Sequence, residues 1–244
     1  MDKIISYGKS DIGLKRSNNE DAFVLEPDLG FFALADGMGG AASGELASQI
    51  FIETVLKVFS KVDERSEQET LEFVQKAFIM ANERILNRAG EEPRHHGMGC
   101  TAELLAFYGQ NYVLGHVGDS RTYHFRQGQL RQMTKDHSLI QDQLDQGLIT
   151  HDEARRHAHR NIILRAVGVD QVLAVDLVKG KCLIGDIFLL CSDGLTDMTD
   201  DISIQNVLSL PLHLAQKGKK LIELSKSAGG YDNITVVLCE VMSS

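Results

Sequence analysis

The chain reads as an α+β protein arranged as a four-layer sandwich, two antiparallel β-sheets packed face to face and flanked by α-helices. Three observations predict this. Short β-rich runs dominate the 244 residues. Several of them are joined by loops too short for a crossover helix. The helical patterns come in blocks with one apolar stripe each, instead of alternating with strands.

The strand runs are Lys3 to Tyr7, Ala22 to Glu26, Phe31 to Ala35, Thr101 to Phe107, Tyr112 to Val117, Thr122 to Arg126, Val172 to Val178, Ile187 to Cys191 and Ile234 to Val241. Tyr108-Gly109-Gln110-Asn111 and Gln127-Gly128-Gln129 are turn sequences that make their flanking runs antiparallel hairpins. A first long helix begins after Ser43-Gly44-Glu45 and repeats Leu46, Ala47, Ile50, Val55 and Val58 at helical spacing. A second, about Glu67 to Arg88, stacks Leu71, Val74, Phe78, Ala81 and Ile85 on one face. One apolar stripe per helix means that each covers a sheet. Ile202 to Leu208 and Leu214 to Ser227 read as shorter helices separated by Pro211.

The segment His137 to Arg165 is polar and rich in His, Gln and Asp, with helical stretches around Gln141 to Gln146 and Asp152 to His157. A mobile lid and an ordinary surface excursion both fit it. No fixed period and only three prolines occur, so residues 1–244 are expected to form a single domain.

Hydrophobic residues at 43% and charged residues at 24% suit a chain that buries a real core. The formal charge of −9, from 34 acidic against 25 basic side chains, repels polyanions, and no Lys/Arg-rich run offsets it, so nucleic acid is not an expected partner. Cys100, Cys182, Cys191 and Cys239 are far apart and without a CxxC, as in a cytosolic protein with reduced, buried thiols. The start MDKIISYGKSD lacks the features of a signal peptide, and no window reaches about 18 uninterrupted apolar residues. A soluble cytoplasmic protein without membrane contact is the expectation.

The acidic excess has specific locations. Asp36 follows an apolar run and precedes Gly37-Met38-Gly39-Gly40, so a strand delivers a carboxylate to a loop of bare backbone. Asp193-Gly194 repeats the arrangement after Ile187 to Ser192, Asp232-Asn233 stands before the last run, and Asp119 follows another in Gly118-Asp119-Ser120-Arg121. Each alone is more often a turn. Together, four carboxylates at strand ends need something to offset their desolvation, and a divalent cation does so. Oxygen ligands without His or Cys at ligand spacing point to Mg²⁺ or Mn²⁺ and away from zinc. In Arg16-Ser17-Asn18-Asn19-Glu20-Asp21, Arg16 can grip a phosphate by a bidentate fork, or simply pair with Glu20 on the surface.

Taken in order, Arg16-x-x-Asn19-Glu20-Asp21, Asp36-Gly37-Met38-Gly39-Gly40, Gly99-Cys100-Thr101, Gly118-Asp119-Ser120-Arg121, Ser192-Asp193-Gly194 and Asp232-Asn233-Ile234-Thr235 resemble the metal-dependent protein phosphatases of the PP2C (PPM) family, bacterial type. The resemblance runs from about Ser6 to Val241. It implies a serine/threonine protein phosphatase in which a water bridging two Mg²⁺ or Mn²⁺ ions attacks the phosphoester directly. It further implies that Asp36 bridges both metals, the Gly37 carbonyl binds the second, and Asp193 and Asp232 hold the first. Arg16 would bind substrate phosphate, Glu20 would act near the second metal through water, and Asp119 with Asp193 matches a third metal site of bacterial members. Thr101 would support the water network, with Asp21 and Asn233 as further supporting residues. Phosphorylated proteins, targets of a serine/threonine kinase, would be the partners.

Two departures stand out. Met38 occupies the position where many eukaryotic members carry a histidine proposed as general acid, which leaves the proton donor unassigned between water and a His after His137. No regulatory or tethering part is recognisable, so regulation is expected from elsewhere. Of the rival readings, a cysteine-dependent phosphatase would need an Arg six residues after its nucleophile, and Asp197, Ala106 and Phe188 stand there instead. A nucleotide loop at Gly37 to Gly40 lacks a following Gly-Lys-Ser/Thr. The pairs His95/His96 and His157/His159 read as solvated side chains, not a metal site. A phosphoprotein-binding module of the same fold without turnover is the remaining alternative.

Overall fold

The computed structural model describes residues 3–39, 43–60, 65–154 and 157–243. Gly40 of the glycine-rich loop lies outside them, as do two positions of the polar segment, 155 and 156. The chain runs β1 (Lys3–Asp11), β2 (Asp21–Glu26), β3 (Phe31–Met38), α1 (Ser43–Phe59), α2 (Glu67–Glu91), β4 (Gly99–Cys100), β5 (Ala102–Tyr108), β6 (Asn111–Val117), β7 (Arg121–Arg126) and β8 (Gln129–Gln132). It continues through α3 (Leu139–Asp145), α4 (His151–Ala154), β9 (Asp176–Lys181), β10 (Ile187–Cys191), α5 (Asp193–Thr196), α6 (Asp201–Ser209), α7 (Leu214–Ser227) and β11 (Ile234–Met242).

One sheet has the order β1-β11-β10-β7-β8; the other is β2-β3-β5-β6-β9, with β4 on the end of β3. Their pairings are antiparallel throughout. Side-chain alternation builds the layers. Phe32, Leu34, Leu105, Phe107, Leu114, Phe188, Leu190, Val237 and Cys239 face the space between the sheets. Their neighbours Phe31, Ala33, Leu104 and Ala106 face α1 and α2, while Leu189, Cys191, Val236 and Leu238 face α6 and α7. Both faces of the central strands are therefore buried, which is why those runs read as continuously apolar. Phe188 sits at the middle, its ring 5.5 Å from Phe107 and 5.0 Å from Tyr112. Burying such a ring contributes about 1.5–3 kcal/mol.

The helices cover the outer faces as their stripes predict. α2 starts at a capping box: the Ser66 hydroxyl accepts from the Glu69 N–H and the Glu69 carboxylate accepts from the Ser66 N–H. Such a cap is worth about 1 kcal/mol.

Four details differ from the sequence reading. The run Val172 to Val178 pairs only from Asp176, opposite His116, and Val172 is 89% exposed. The backbone just before it is engaged elsewhere, Val167 bridging Cys100. Strand β4, two residues long, went unanticipated, and β8, the four-residue and mostly polar partner that the Gln127-Gly128-Gln129 hairpin calls for, has no run of its own in the sequence reading. His95 is buried, its Nδ1 3.3 Å from the Ser43 hydroxyl, and is not solvated. All four cysteines are buried and free, as expected.

Register sets where the site falls. Asp21 lies opposite Asp36 across β2 and β3. On the other sheet Cys191 lies opposite both Val236 and Arg121, so the chain leaving β10 toward Asp193, entering β7 past Asp119 and entering β11 past Asp232 does so at one end. Antiparallel pairing thus gathers carboxylates that the sequence separates by up to about two hundred residues.

Candidate active site

Asp36 is anchored through its backbone. Its N–H donates to the Thr101 hydroxyl at 3.1 Å, its carbonyl accepts from the Thr101 N–H at 2.9 Å, and the Thr101 hydroxyl shares a hydrogen bond with Ser120 at 2.7 Å. Gly37 donates its N–H to the Glu20 carbonyl, and a side chain there would meet the Gly44 carbonyl at 2.1 Å. The start of α1 lies directly on the loop, a contact only glycine permits. The Glu20 carboxylate stands beside Gly44 and accepts from Asn18 at 3.0 Å.

Asn233 ties the N-terminal loop to the last strand. Its side-chain oxygen accepts from the Glu20 N–H at 2.8 Å, and its side-chain nitrogen donates to the carbonyls of Ile12 and Asn18 at 3.1 and 2.9 Å. One buried amide therefore uses three hydrogen bonds to hold the loop that carries Arg16. Arg16 donates to Asp232 at 2.6 Å, and not to Glu20. The pair is half open to solvent, with 51% of the Arg16 side chain exposed. Exposed pairs of this kind are worth about 1 kcal/mol or less, so Arg16 can exchange Asp232 for a phosphate at small cost.

The carboxylates themselves are in an unfavourable state. Burial pushes Asp36 well above the ordinary carboxylate range, and the charges of Asp21, Asp193, Asp119 and Asp232 push it further. Asp193 is raised in the same way, by burial and then by Asp119, Asp197, Asp232 and Asp21. Asp119 is pushed up to about 7 by burial and by Asp136 and Asp197. Asp21 is pushed up to about 6 by burial, although Thr235 and Ser192 donate to its Oδ2 at 2.6 and 2.9 Å. The Oδ1 atoms of Asp21 and Asp193 are both buried and, among the described residues, without an N–H or hydroxyl donor.

Buried carboxylate oxygens that lack donors and repel one another are what a cation would relieve. The residues present fit a hard divalent ion. Among the described residues no three His, Cys, Asp or Glu side chains close around one point as a ready-made cage. A sparse set of carboxylates leaves coordination positions for water and for phosphate oxygens, which is how Mg²⁺ and similar ions are commonly held.

Asp197 is the site residue that sequence reading missed. It follows the one-turn helix α5, its N–H donating to the Asp193 carbonyl at 2.8 Å, and burial raises it against the opposing pull of Arg160 and Arg121. The available signal was its spacing, four residues after Asp193, which puts both on one side of a helical turn. Arg160, from the polar segment after His137, reaches Asp197 at 3.4 Å. That segment is tied at its base, Leu139 N–H donating to the Ile162 carbonyl and Leu164 N–H to the His137 carbonyl. His137 itself is engaged by the Gly118 N–H and by Asp176, and burial pulls it down to about 4. Cys191 lies inside the core between sheet and helices, where burial raises its thiol far from nucleophilic character.

A two-sheet sandwich with a cluster of strand-end aspartates and a guanidinium at its rim suits a protein that holds cations beside a phosphate group. The model of the family described as protein phosphatase 2C matches residues 8–227, and the chain belongs to that family. It is 40% identical over 234 residues to the serine/threonine protein phosphatase PstP of Mycobacterium tuberculosis, covering 96% of this chain and 44% of that protein. It therefore spans about half the length of that relative. Protein phosphatase PhpP of Streptococcus pneumoniae is 33% identical, with 94% of each chain covered. The crystal structure of M. tuberculosis PstP superimposes with a TM-score of 0.91 at 38% identity, over 98% of this chain and 99% of that one. A PstP catalytic domain in complex with two manganese ions gives a TM-score of 0.89 at 37% identity, over 98% and 99%.

Proposed function

We propose that this chain is a metal-dependent serine/threonine protein phosphatase that hydrolyses phosphoserine and phosphothreonine in proteins. The observation that carries the reading is the pair of buried, donorless oxygens on Asp21 and Asp193 within a mutually repelling cluster. Two Mn²⁺ or Mg²⁺ ions, when bound, supply positive charge to the phosphoryl oxygens and lower the pKa of attacking water. Asp36, Asp193 and Asp232, with the Gly37 carbonyl, would hold the pair, and Asp119 with Asp193 and Asp197 would hold a third ion.

The chain's own residues do the rest. Arg16 turns from Asp232 to the substrate phosphate and orients it by two N–H donors. Asn233 fixes the loop that presents Arg16, Thr101 fixes the backbone of Asp36, and Glu20, its carboxylate beside Gly44, would act near the second metal through water. Met38 supplies no proton, and His137 is engaged by Gly118 and Asp176, which leaves water or a histidine further along that segment to protonate the leaving alkoxide. Phosphoproteins made by a serine/threonine kinase in the cytoplasm are the substrates this reading expects, and the net charge of −9 speaks against nucleic acid. Among the described residues no helix is long and apolar enough to cross a membrane.

The test is phosphate release from a phosphothreonine peptide with and without Mn²⁺. Asp36→Asn should lower turnover by about a thousandfold or more, because the charge stabilisation it anchors is worth several kcal/mol. A phosphopeptide that binds but is never hydrolysed by the wild type would favour a binding module instead.

A further inference from the structure

Three apolar side chains are exposed on the two loops that carry Arg16 and Asp232. Leu14 is 58% exposed, Tyr231 59% and Ile12 39%. Single exposed apolar residues mean little, but these lie on adjoining backbone. The Leu14 N–H donates to the Gly230 carbonyl at 2.8 Å, and the Ile12 carbonyl accepts from Asn233. The Leu14 side chain rests against Gly230, whose φ of +53° and lack of a Cβ allow the approach; a Cβ there would stand 3.0 Å from Leu14 Cγ. Tyr231 immediately precedes Asp232, and its ring folds back over Gly229. The patch is thus held rigidly by the same hydrogen bonds that position the phosphate-binding loop.

We propose that Leu14 and Tyr231, with Ile12 beside them, form a specificity subsite for an apolar side chain flanking the phosphorylated residue of the substrate. The proposal rests on the phosphatase reading above. Continuity decides the occupant. Leu14 is two residues from Arg16, no more than about 7 Å along extended backbone, and Tyr231 adjoins Arg16's partner Asp232. A substrate whose phosphate is gripped by Arg16 carries its flanking residues over the surface beside this loop, each about 3.8 Å further along its chain. The patch offers them apolar area, and the Tyr231 ring adds a large contact surface at low conformational cost.

The test scans a single Leu, against Ser, across the residues flanking phosphothreonine in otherwise identical peptides, with Mn²⁺ present. In the wild type the best-placed Leu should raise kcat/KM about tenfold, through KM with kcat unmoved. Leu14→Ser and Tyr231→Ser should each cut that preference to about threefold, and the double variant should abolish it. Turnover of p-nitrophenyl phosphate, which has no flanking residue, should stay unchanged in all of them. Leu14→Lys should turn the preference toward Asp or Glu. Both side chains are exposed, and unchanged thermal melts would show that the variants fold. Wild type without a flanking preference, or a preference that survives the double substitution, overturns the subsite alone. So does a patch that proves to join two copies, seen as self-association that Leu14→Lys abolishes while peptide preference is unaffected. Wild type inactive on both peptides and p-nitrophenyl phosphate overturns the phosphatase reading, and the subsite with it.

Discussion

Two groups of buried charge in this molecule are built on opposite plans. Between the sheets, Glu103 and His116 face each other across β5 and β6, both all but fully buried. Every polar atom of that pair is answered by protein: Glu103 Oε1 by His116 Nδ1, Glu103 Oε2 by the Thr122 hydroxyl at 2.5 Å, and His116 Nε2 by the Lys135 carbonyl at 2.9 Å. At the sheet ends, Asp36, Asp193, Asp119 and Asp21 lie near one another, and among the described residues two of their oxygens find no N–H or hydroxyl donor. The first group closes upon itself and links the two sheets. The second is left open, and the missing positive charge has to arrive from outside.

The comparison is broken most directly at Glu103. Glu103→Ala leaves His116 and Thr122 without their acceptor in the core and should destabilise the fold by about 3–5 kcal/mol, read from denaturant midpoints. Unchanged stability would mean that the pair is not self-contained.

Next in size is the effect of metal on stability. Mn²⁺ at about a hundred times its dissociation constant should stabilise the fold by about 2.7 kcal/mol, read as a rise in Tm over protein kept with a chelator. The pH dependence has a definite sign. Asp119 at about 7 and Asp21 at about 6 keep protons in the metal-free fold that the unfolded chain releases near pH 4. A group raised in this way favours the fold at low pH, and the advantage is lost as pH climbs through the folded value. Chelated protein should therefore melt lower at about pH 7.5 than at about pH 5.5, and the increment from Mn²⁺ should be larger at the higher pH. Equal increments at both would count against cation binding by these carboxylates.

A smaller effect is expected at Arg16. Arg16→Lys keeps the charge and loses the fork, so KM for a phosphopeptide should rise about tenfold with little change in Tm. The last effect carries the most information about sign. Asp193→Asn replaces a carboxyl group that the metal-free fold holds protonated, against the tendency of the unfolded chain to release the proton, and should stabilise the chelated protein by roughly 1 kcal/mol at about pH 7.5 while removing the gain from Mn²⁺. Destabilisation of the chelated protein would show that Asp193 is paired within the chain after all.

Much of this was legible in the chain, for reasons that can be named. Strands and helices announce themselves through alternation and through stripes, so Ile187 to Cys191 and Leu214 to Ser227 agree with the structure at both ends. The motifs around Asp36, Asp193 and Asp232 stood out because an aspartate directly after or before a buried strand is expensive without a partner. Where the signal was short or mostly polar, as in β4 and β8, periodicity had too few residues to register. Val172 was read into a strand because β-branched composition says nothing about whether a neighbouring strand is there to pair with it.

What the sequence determined by itself is therefore local: the α+β layering, the hairpins, and which carboxylates end strands. Tertiary structure alone decided the rest, because hydrogen-bond satisfaction depends on groups far away in the chain. Arg16 could have paired with Glu20 four residues on; packing sets it against Asp232 instead. Asn233 looked like half of a turn and turned out to hold three backbone groups of the N-terminal loop. Only in the folded chain do the Oδ1 atoms of Asp21 and Asp193 become buried without an N–H or hydroxyl donor among the described residues, since exposure to water is a property of position in space and not of position in sequence.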